Sequence, residues 1–354
     1  MRFHLKLIKL NNQLFTIASN IKPLLDSLKK ICIVTHYNPD GDAMGSSLGL
    51  YWFLKENGHQ VQVVIPNDFP EFLKWMKGSE EVIVHHHKPE LVAQKISEAD
   101  IIFCADFNNL TRLKGLGPII QSAQAIKILI DHHPYPEHVF NYQYSNIKAS
   151  STCELMYQFI TSIDIPDSIS HQTAECLYTG IMTDTGCFSH AASSETFRVV
   201  AALIDRGIDR DKIFEHIYNN FSVQRMKLMG YCLNEKMVVL PEFRTAYIWL
   251  TKQELEKFGF QTGDTEGFVN IPFSIKGINI AALFTEKDNL IRISLRSKGL
   301  FAVNEISEKN FEGGGHKNAA GGESKLTMTE TISKFENILK NHKTQIDEAY
   351  TGIE

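Results

Sequence analysis

The stretch "HYNPDGD", residues 36–42, places one imidazole and two carboxylates within seven positions. Three later segments carry the same residue types: Asp106 in "ADFNN", Asp131-His132-His133 in "DHHP", and Asp184 in "TDTG". Carboxylates gathered in a folded interior repel one another and lose hydration, so a compact chain keeps them only beside cations, donors or water. Divalent ions would supply that company. A set made of His36, Asp40, Asp42, Asp106, His132 and Asp184 offers only oxygen and nitrogen, which suits manganese or magnesium better than structural zinc. A two-ion site also needs a carboxylate that bridges ions roughly 3.5–4 Å apart. Pro39 and Gly41 favour a tight turn, so Asp40 and Asp42 can face different ions. Asp106, alone at the end of its apolar run, is the natural bridge.

Positioning such a set requires several chain segments to end at one place. "ICIVTH" (31–36) reads as a strand ending at His36, and "SSLGLYWFLKENG" then shows helical spacing up to a glycine stop at Gly58. "VQVVIP" (61–66), "DIIFCAD" (100–106) and "AIKILID" (125–131) are further strand candidates, separated by stretches long enough for crossover helices. This rhythm predicts a parallel α/β sheet. His36, Asp106 and the Asp131-His132-His133 run then fall at carboxyl ends of strands, the edge where open α/β sheets bind ligands. Asp184 follows the helical pattern "HQTAECLYTGIM". Beyond about residue 190 the pattern turns helical, and from "TAYIWLTK" onward strands and helices mix again. "NIAALFTE" and "NLIRISLRS" read as strands, followed by the glycine-rich "EGGGHKNAAGG" and an amphipathic helix. The expected organisation is a parallel-sheet α/β domain at 18–215, a helical linker at 216–240, and a second, smaller α/β domain at 241–345, with a catalytic cleft between them.

With 354 residues and a formal net charge of −5, the chain is long enough for two cores and lacks the excess of cations expected of a broad face for long duplex nucleic acid. A short anionic substrate in a local site stays open. No apolar run reaches the length of a membrane span, and "MRFHLKLIKLNNQLFTIASN" lacks a signal-peptide core, so no membrane association and a cytoplasmic location are expected. The six cysteines form no C-x-x-C pair and read as free, buried thiols. "VIVHHHKP" reads as a solvated loop, because adjacent side chains on an extended segment alternate in direction and no carboxylate accompanies His85 to His87. "SSTCE" (150–154) reads as a helix cap whose hydroxyls could also touch substrate, and Trp52 and Trp75 read as core.

Taken in order, "HYNPDGDAMGS", "ADFNN", "DHHP" and "TDTG" resemble the four motifs of the DHH phosphoesterase family, and "GGGHKNAAGG" resembles the signature of the DHH-associated C-terminal domain. The two-domain size most resembles the NrnA-type members, which degrade very short oligoribonucleotides and dephosphorylate 3'-phosphoadenosine 5'-phosphate. The resemblance implies two Mn2+ ions, with Mg2+ as a substitute. One would be held by His36, Asp40 and Asp106, the other by Asp42, Asp106, His132 and Asp184. Asp131 would orient His132 by accepting its imidazole N–H, and His133 would face the phosphate, so His133, Asp106 and Asp131 form the expected catalytic group. Water activated between the ions would attack phosphorus in line. In the second domain the amides of Gly313, Gly314 and Gly315 would form an anion nest, with His316, Arg296 and Ser297 also binding substrate.

The expected activity is hydrolysis of short single-stranded RNA or dinucleotides to mononucleotides, and of the adenosine bisphosphate to AMP. Hydrolysis of cyclic dinucleotides or their linear products on the same scaffold is the alternative. A nucleotide-sensing binding protein is the non-enzymatic one, and would be marked by a lost ligand. Inorganic pyrophosphatase is disfavoured by "GGGHKNAAGG", and a RecJ-like exonuclease by the absence of room for additional domains. A homodimer stays open.

Overall fold

A computed structural model of the chain describes residues 14, 16–163, 169–287 and 290–350. Most of the N-terminal stretch weighed as a signal peptide lies outside these residues. Among the described residues no helix is long and apolar enough to cross a membrane. The chain divides into two compact units, Met1–Asn220 and Phe221–Glu354.

The first unit is built on a six-stranded, all-parallel sheet. Its strands are β1 (Lys30–Val34), β2 (Gln60–Ile65), β3 (Ile83–Val84), β4 (Ile101–Ala105), β5 (Ile126–Asp131) and β6 (Tyr142–Ser145), in the order β3-β2-β1-β4-β5-β6. β1, β4 and β5 are continuous β-branched and apolar runs because both faces of a parallel sheet are covered. Ile31, Ile33, Phe103 and Ile128 enter one core, and Cys32, Val34, Cys104 and Leu129 enter another across the sheet. The two short strands, β3 and β6, carry too little pattern to stand out in the sequence. β6 reads "YQYS", with one buried residue in four.

Two helices on one face decide where the acidic groups go. Helix Gly41–Glu56 packs antiparallel to helix His171–Asp184, with Gly41 against Thr183, Gly45 against Cys176 and Gly180, and Gly49 against Leu177. A Cβ on Gly45 would stand 2.7 Å from the Cys176 carbonyl oxygen, closer than packing allows. Small residues at i, i+4 and i+8 therefore set the approach of the two helices. That approach brings the start of one, Asp42, to the end of the other, Asp184.

The second unit holds a six-stranded mixed sheet: β7 (Met237–Leu240), β8 (Thr245–Leu250), β9 (Ile280–Lys287), β10 (Leu290–Ser297), β11 (Gly314–His316) and β12 (Ala319–Ser324), in the order β11-β12-β10-β9-β8-β7. Only the β8–β9 pair is parallel. One face packs Ile293, Leu295 and Phe284 on helices Val303–Asn310 and Met328–Asn341; the other packs Ile248, Ala281 and Leu283 on Phe268 and Leu228. The segment expected as a linker contains helix Val223–Tyr231, whose Leu228 is buried in this second core together with Cys232. It belongs to the unit it precedes.

Other expectations meet the structure in detail. Five cysteines are buried, but Cys187 is exposed, in the turn that follows Asp184. Trp52 and Trp75 are partly buried against the core, and Trp75 lies outside any regular helix with its ring stacked on His216. The histidine run is solvated, yet a carboxylate does accompany it: His87 Nε2 lies 2.9 Å from Asp68.

Candidate active site

Three neighbouring strands deliver three groups to one sheet edge. β1, β4 and β5 are adjacent and in parallel register, Val34 opposite Cys104 and Ala105 opposite Ile130. His36, Asp106 and His132-His133 therefore leave the sheet side by side. Asp106 turns there with φ 65°, a left-handed conformation that aspartate and asparagine accept more readily than most residues. Its two carboxylate oxygens point to different neighbours: Oδ2 lies 3.4 Å from His36 Nε2, while Oδ1 lies 3.6 Å from His132 Nε2.

Asp40 caps helix Gly41–Glu56, accepting the N–H groups of Asp42 and Ala43 at 3.1 Å, so the expected tight turn is a helix start. Two residues on, Asp42 faces inward and accepts the backbone N–H groups of Thr152 (2.6 Å) and Cys153 (2.9 Å), the first turn of helix Thr152–Ser162. A helix N-terminus is a natural seat for a carboxylate. Asp40 and Asp42 consequently fall into separate groups. His36, Asp40 and Asp106 offer ligand atoms all within 4.8 Å of one another, and so do Asp42, His132 and Asp184. Asp106 lies against both.

The imidazole Nε2 atoms stand 3.4–4.0 Å from the facing carboxylate oxygens, too far for good hydrogen bonds. Ligands around an octahedral ion with bonds of about 2.1 Å stand ~3 Å apart when adjacent and ~4.2 Å apart when opposite, and the spacings here fall between the two. The electrostatics agree. Burial pushes the Asp42 carboxyl well above the usual range, and the charges of Asp106 and Asp184 push it further. Burial acts the same way on Asp106, but the facing imidazoles of His36, His133 and His132 overcome it and hold its carboxyl below the ordinary value. Burial would lower His132, yet Asp184, Asp106 and Asp42 raise it to about 9. His36 is raised against its own burial by Asp106 and Asp40. Without cations, protons would have to offset this carboxylate charge.

The sequence matches the N-terminal domain of the DHH family over residues 30–181 and the DHHA1 domain over residues 244–347. The chain is a DHH-family phosphoesterase. It is 29% identical to the probable bifunctional oligoribonuclease and PAP phosphatase NrnA of Streptococcus mutans, over 92% of this chain and 98% of that protein. It is 26% identical to the cyclic-di-AMP phosphodiesterase PdeA of Listeria monocytogenes, over 89% of this chain and 48% of that one. An exopolyphosphatase-related protein of Bacteroides fragilis has the same fold, with a TM-score of 0.89 at 42% identity, covering 94% of this chain and 98% of its own.

Within the DHH motif itself the structure corrects one expectation. Asp131 does not orient His132; its Oδ1 lies 2.7 Å from Nδ1 of His133, and His132 Nδ1 instead faces the Ala149 carbonyl at 3.5 Å. The cause is alternation, since extended residues two apart share a side and adjacent ones do not. His133 Nδ1 also lies 3.7 Å from Asp106 Oδ1. Burial lowers the His133 imidazole, and the nearby positive charge of Arg112 adds to that.

Two residues of this DHH site escaped sequence reasoning. Thr152 donates its hydroxyl to Asp106 Oδ1 at 2.8 Å while its backbone N–H holds Asp42, so one residue orients carboxylates of both groups. Its segment does begin with the expected cap, Ser151, which accepts the Glu154 N–H. The available signal was position: a helix that follows a parallel strand starts at the ligand-binding edge. Arg112 is half-buried, its carbonyl accepts the Tyr37 N–H at 2.8 Å, and its charge bears on both His36 and His133.

In the DHHA1 unit Arg296 lies on β10 between Ala281 of β9 and Ala319 of β12, and its guanidinium donates to the Leu295 carbonyl at 3.0 Å. Ser297 is turned to another use. Its hydroxyl donates to the Phe301 carbonyl at 2.7 Å and receives the Asn318 amide, and it is buried, so the donor expected for substrate is engaged within the domain. The glycines are not a loop nest: Gly314, Gly315 and His316 form edge strand β11 on β12. A Cβ on Gly315 would stand 2.6 Å from the Ala319 carbonyl oxygen, so close backbone approach is what requires glycine there.

Proposed function

We propose that the protein is a two-metal phosphodiesterase and phosphatase that degrades very short oligoribonucleotides to mononucleotides and converts 3'-phosphoadenosine 5'-phosphate to AMP. The observation that carries this reading is Asp106, whose two oxygens face the imidazoles of two separate ligand groups. That is what a carboxylate shared between two cations needs. His36, Asp40 and Asp106 would hold one ion, and Asp42, Asp106, His132 and Asp184 the other; Mn2+ suits these oxygen and nitrogen donors, and Mg2+ would substitute. Bound there, the cations supply the Lewis acidity that makes water a nucleophile near neutral pH and offsets charge on the phosphoryl oxygens.

The chain's own residues do the rest. Thr152 and the helix start behind it keep Asp42 and Asp106 in place before substrate arrives. The contact with Asp131 places the His133 proton on Nδ1 and leaves Nε2 as the basic nitrogen. From there it would take the proton that the attacking water loses, and the leaving oxygen on the far side of phosphorus would be protonated from solvent. Arg112 adds positive charge beside His36 and His133, where a phosphate dianion is welcome. In the second unit Arg296, His316 and the edge strand that Gly314 and Gly315 form would contribute substrate binding.

The relatives support this substrate class, as NrnA proteins are named for it. The test is turnover of a panel made of di- to pentaribonucleotides, the adenosine bisphosphate, cyclic di-AMP and pyrophosphate, with Mn2+ and with excess EDTA. Metal-dependent release of mononucleotides and AMP is expected. Undiminished activity in EDTA would overturn the two-metal reading, and preference for cyclic di-AMP would move the assignment to the class of the Listeria relative.

A further inference from the structure

Two residues beyond His133, Tyr135 sits in left-handed backbone with φ 56°. For a bulky L-residue that conformation is a genuine outlier, better suited to glycine or asparagine. Packing gives nothing back. The side chain is 87% exposed, the most exposed large hydrophobic residue among those described. Among the described residues no ring contact, hydrogen bond or cation–π contact engages it. Yet its loop is tied down on both sides. Asn108 donates its side-chain amide to the Pro134 carbonyl at 2.6 Å and accepts the Glu137 N–H at 2.8 Å, and the Glu137 carboxylate accepts the Leu110 N–H at 3.0 Å. The segment that presents Asp106 therefore also fixes the loop that presents Tyr135.

Strain retained by surrounding bonds, with no stabilising contact in return, marks positions used for something else. Two peptide planes separate the tyrosine from His133, the last residue of the DHH motif, so its Cα lies within about 7 Å of that of His133. A second exposed apolar side chain, Ile147 at 66%, follows β6, whose Ser145 pairs with Asp131 and approaches the His133 carbonyl with its hydroxyl at 3.4 Å. The loops that leave β5 and β6 beside the DHH motif thus each carry one exposed apolar side chain. Pro134, Pro136, Glu137 and His138 flank the tyrosine along the chain, and one isolated ring is too small a patch to bury another protein. One flat π-surface is the right size for one base.

We propose that Tyr135 is a specificity-determining residue that stacks on a nucleobase of the substrate, next to the phosphoester to be cleaved. The inference rests on the reading of the protein as a hydrolase of short oligoribonucleotides, and it adds how such an enzyme would favour nucleotides over other phosphoesters. Stacking recognises any base by its face, so the preference is for the presence of a base and only weakly for its identity.

The test compares wild type with Tyr135→Ala, Tyr135→Phe and Tyr135→Asn on diadenylate and on its two analogues with an abasic ribose at the 5' or the 3' position. Tyr135→Asn suits left-handed backbone, so its melting temperature should equal or exceed that of wild type and separate lost function from lost fold. On diadenylate, Tyr135→Ala and Tyr135→Asn should lose on the order of 10-fold in kcat/KM, mainly through KM, and Tyr135→Phe should keep near wild-type values. With one of the two abasic analogues the loss should vanish. A dinucleotide containing 2-aminopurine should lose fluorescence on binding to wild type in EDTA, and less so on binding to Tyr135→Asn. Equal kcat/KM for all four proteins, or an equal loss on both abasic analogues, would overturn the stacking role while leaving the proposed function standing. Failure of wild type to cleave diadenylate at all would overturn both.

Discussion

Replacing Asp106 by asparagine isolates one charge without disturbing the backbone. Asparagine tolerates the left-handed turn at φ 65° and can still accept the Thr152 hydroxyl, so folding should survive. What disappears is the anion that faces His36 on one side and His132 on the other, at 3.4 and 3.6 Å. If that carboxylate bridges two cations, each loses a charge-assisted contact worth roughly 1.5–3 kcal/mol, together about 3–6 kcal/mol. In rate this is on the order of 10² to 10⁴ in kcat/KM. The assay is turnover of diadenylate beside metal content after equilibration with Mn2+, with circular dichroism as the check on fold. His133→Ala is the comparison: it removes a proton carrier, costs on the order of 10² in kcat, and should leave metal stoichiometry intact. Near wild-type turnover with unchanged metal content in Asp106→Asn would refute the bridging role.

Thr152→Val removes the hydroxyl that holds Asp106 Oδ1 but keeps the N–H on Asp42; Mn2+ affinity by calorimetry should fall about 10–100-fold, and Thr152→Ser should restore it. In the metal-free protein His132 is raised to about 9 from the ordinary 6.5 of an imidazole, so its contribution to stability is present below pH 6.5 and is lost as pH climbs through 9. Asp42, raised by burial and its acidic neighbours, acts in the same sense, its stabilising protonated form being lost as pH rises through its folded value. The urea midpoint in EDTA should therefore fall as the pH rises to about 9, and His132→Asn should flatten its upper part; a midpoint rising over that range would refute the assignment. Arg296→Ala should lower kcat/KM on dinucleotides by about one to two decades and leave bis-p-nitrophenyl phosphate nearly unchanged, because a charge-assisted phosphate contact is worth roughly 1.5–3 kcal/mol. Equal losses on both substrates would place Arg296 in the fold and not in substrate binding.

Much of the fold was legible because its signals are local. β1, β4 and β5 are apolar runs that end in His36, Asp106 and Asp131, and a parallel sheet carries such ends to one edge whatever the crossovers do. The short strands β3 and β6 were not legible, since two and four residues give no period to count. In the second unit the glycine-rich run read as an anion nest because glycine is usually a sign of turns. Here it marks β11, where the neighbouring backbone comes too close for a side chain. The partner of Asp131 was misread by one residue, which on an extended chain means the opposite side.

What sequence reasoning could not supply is the company each carboxylate keeps. Asp42 and Thr152 are 110 residues apart, and no spacing rule connects them. Their meeting depends on two separate facts: glycines that let helix Gly41–Glu56 lie close to helix His171–Asp184, and a strand-to-helix turn that starts helix Thr152–Ser162 at the same edge. The result is a division of labour. Side chains at strand ends provide charge, while backbone N–H groups at a helix start fix the most crowded carboxylate at no further cost in charge. A motif records the first of these, because ligand types must be specified by residue. It cannot record the second, because any residue but proline at Cys153 would bring the same N–H, and so the support for Asp42 is invisible until the chain is folded.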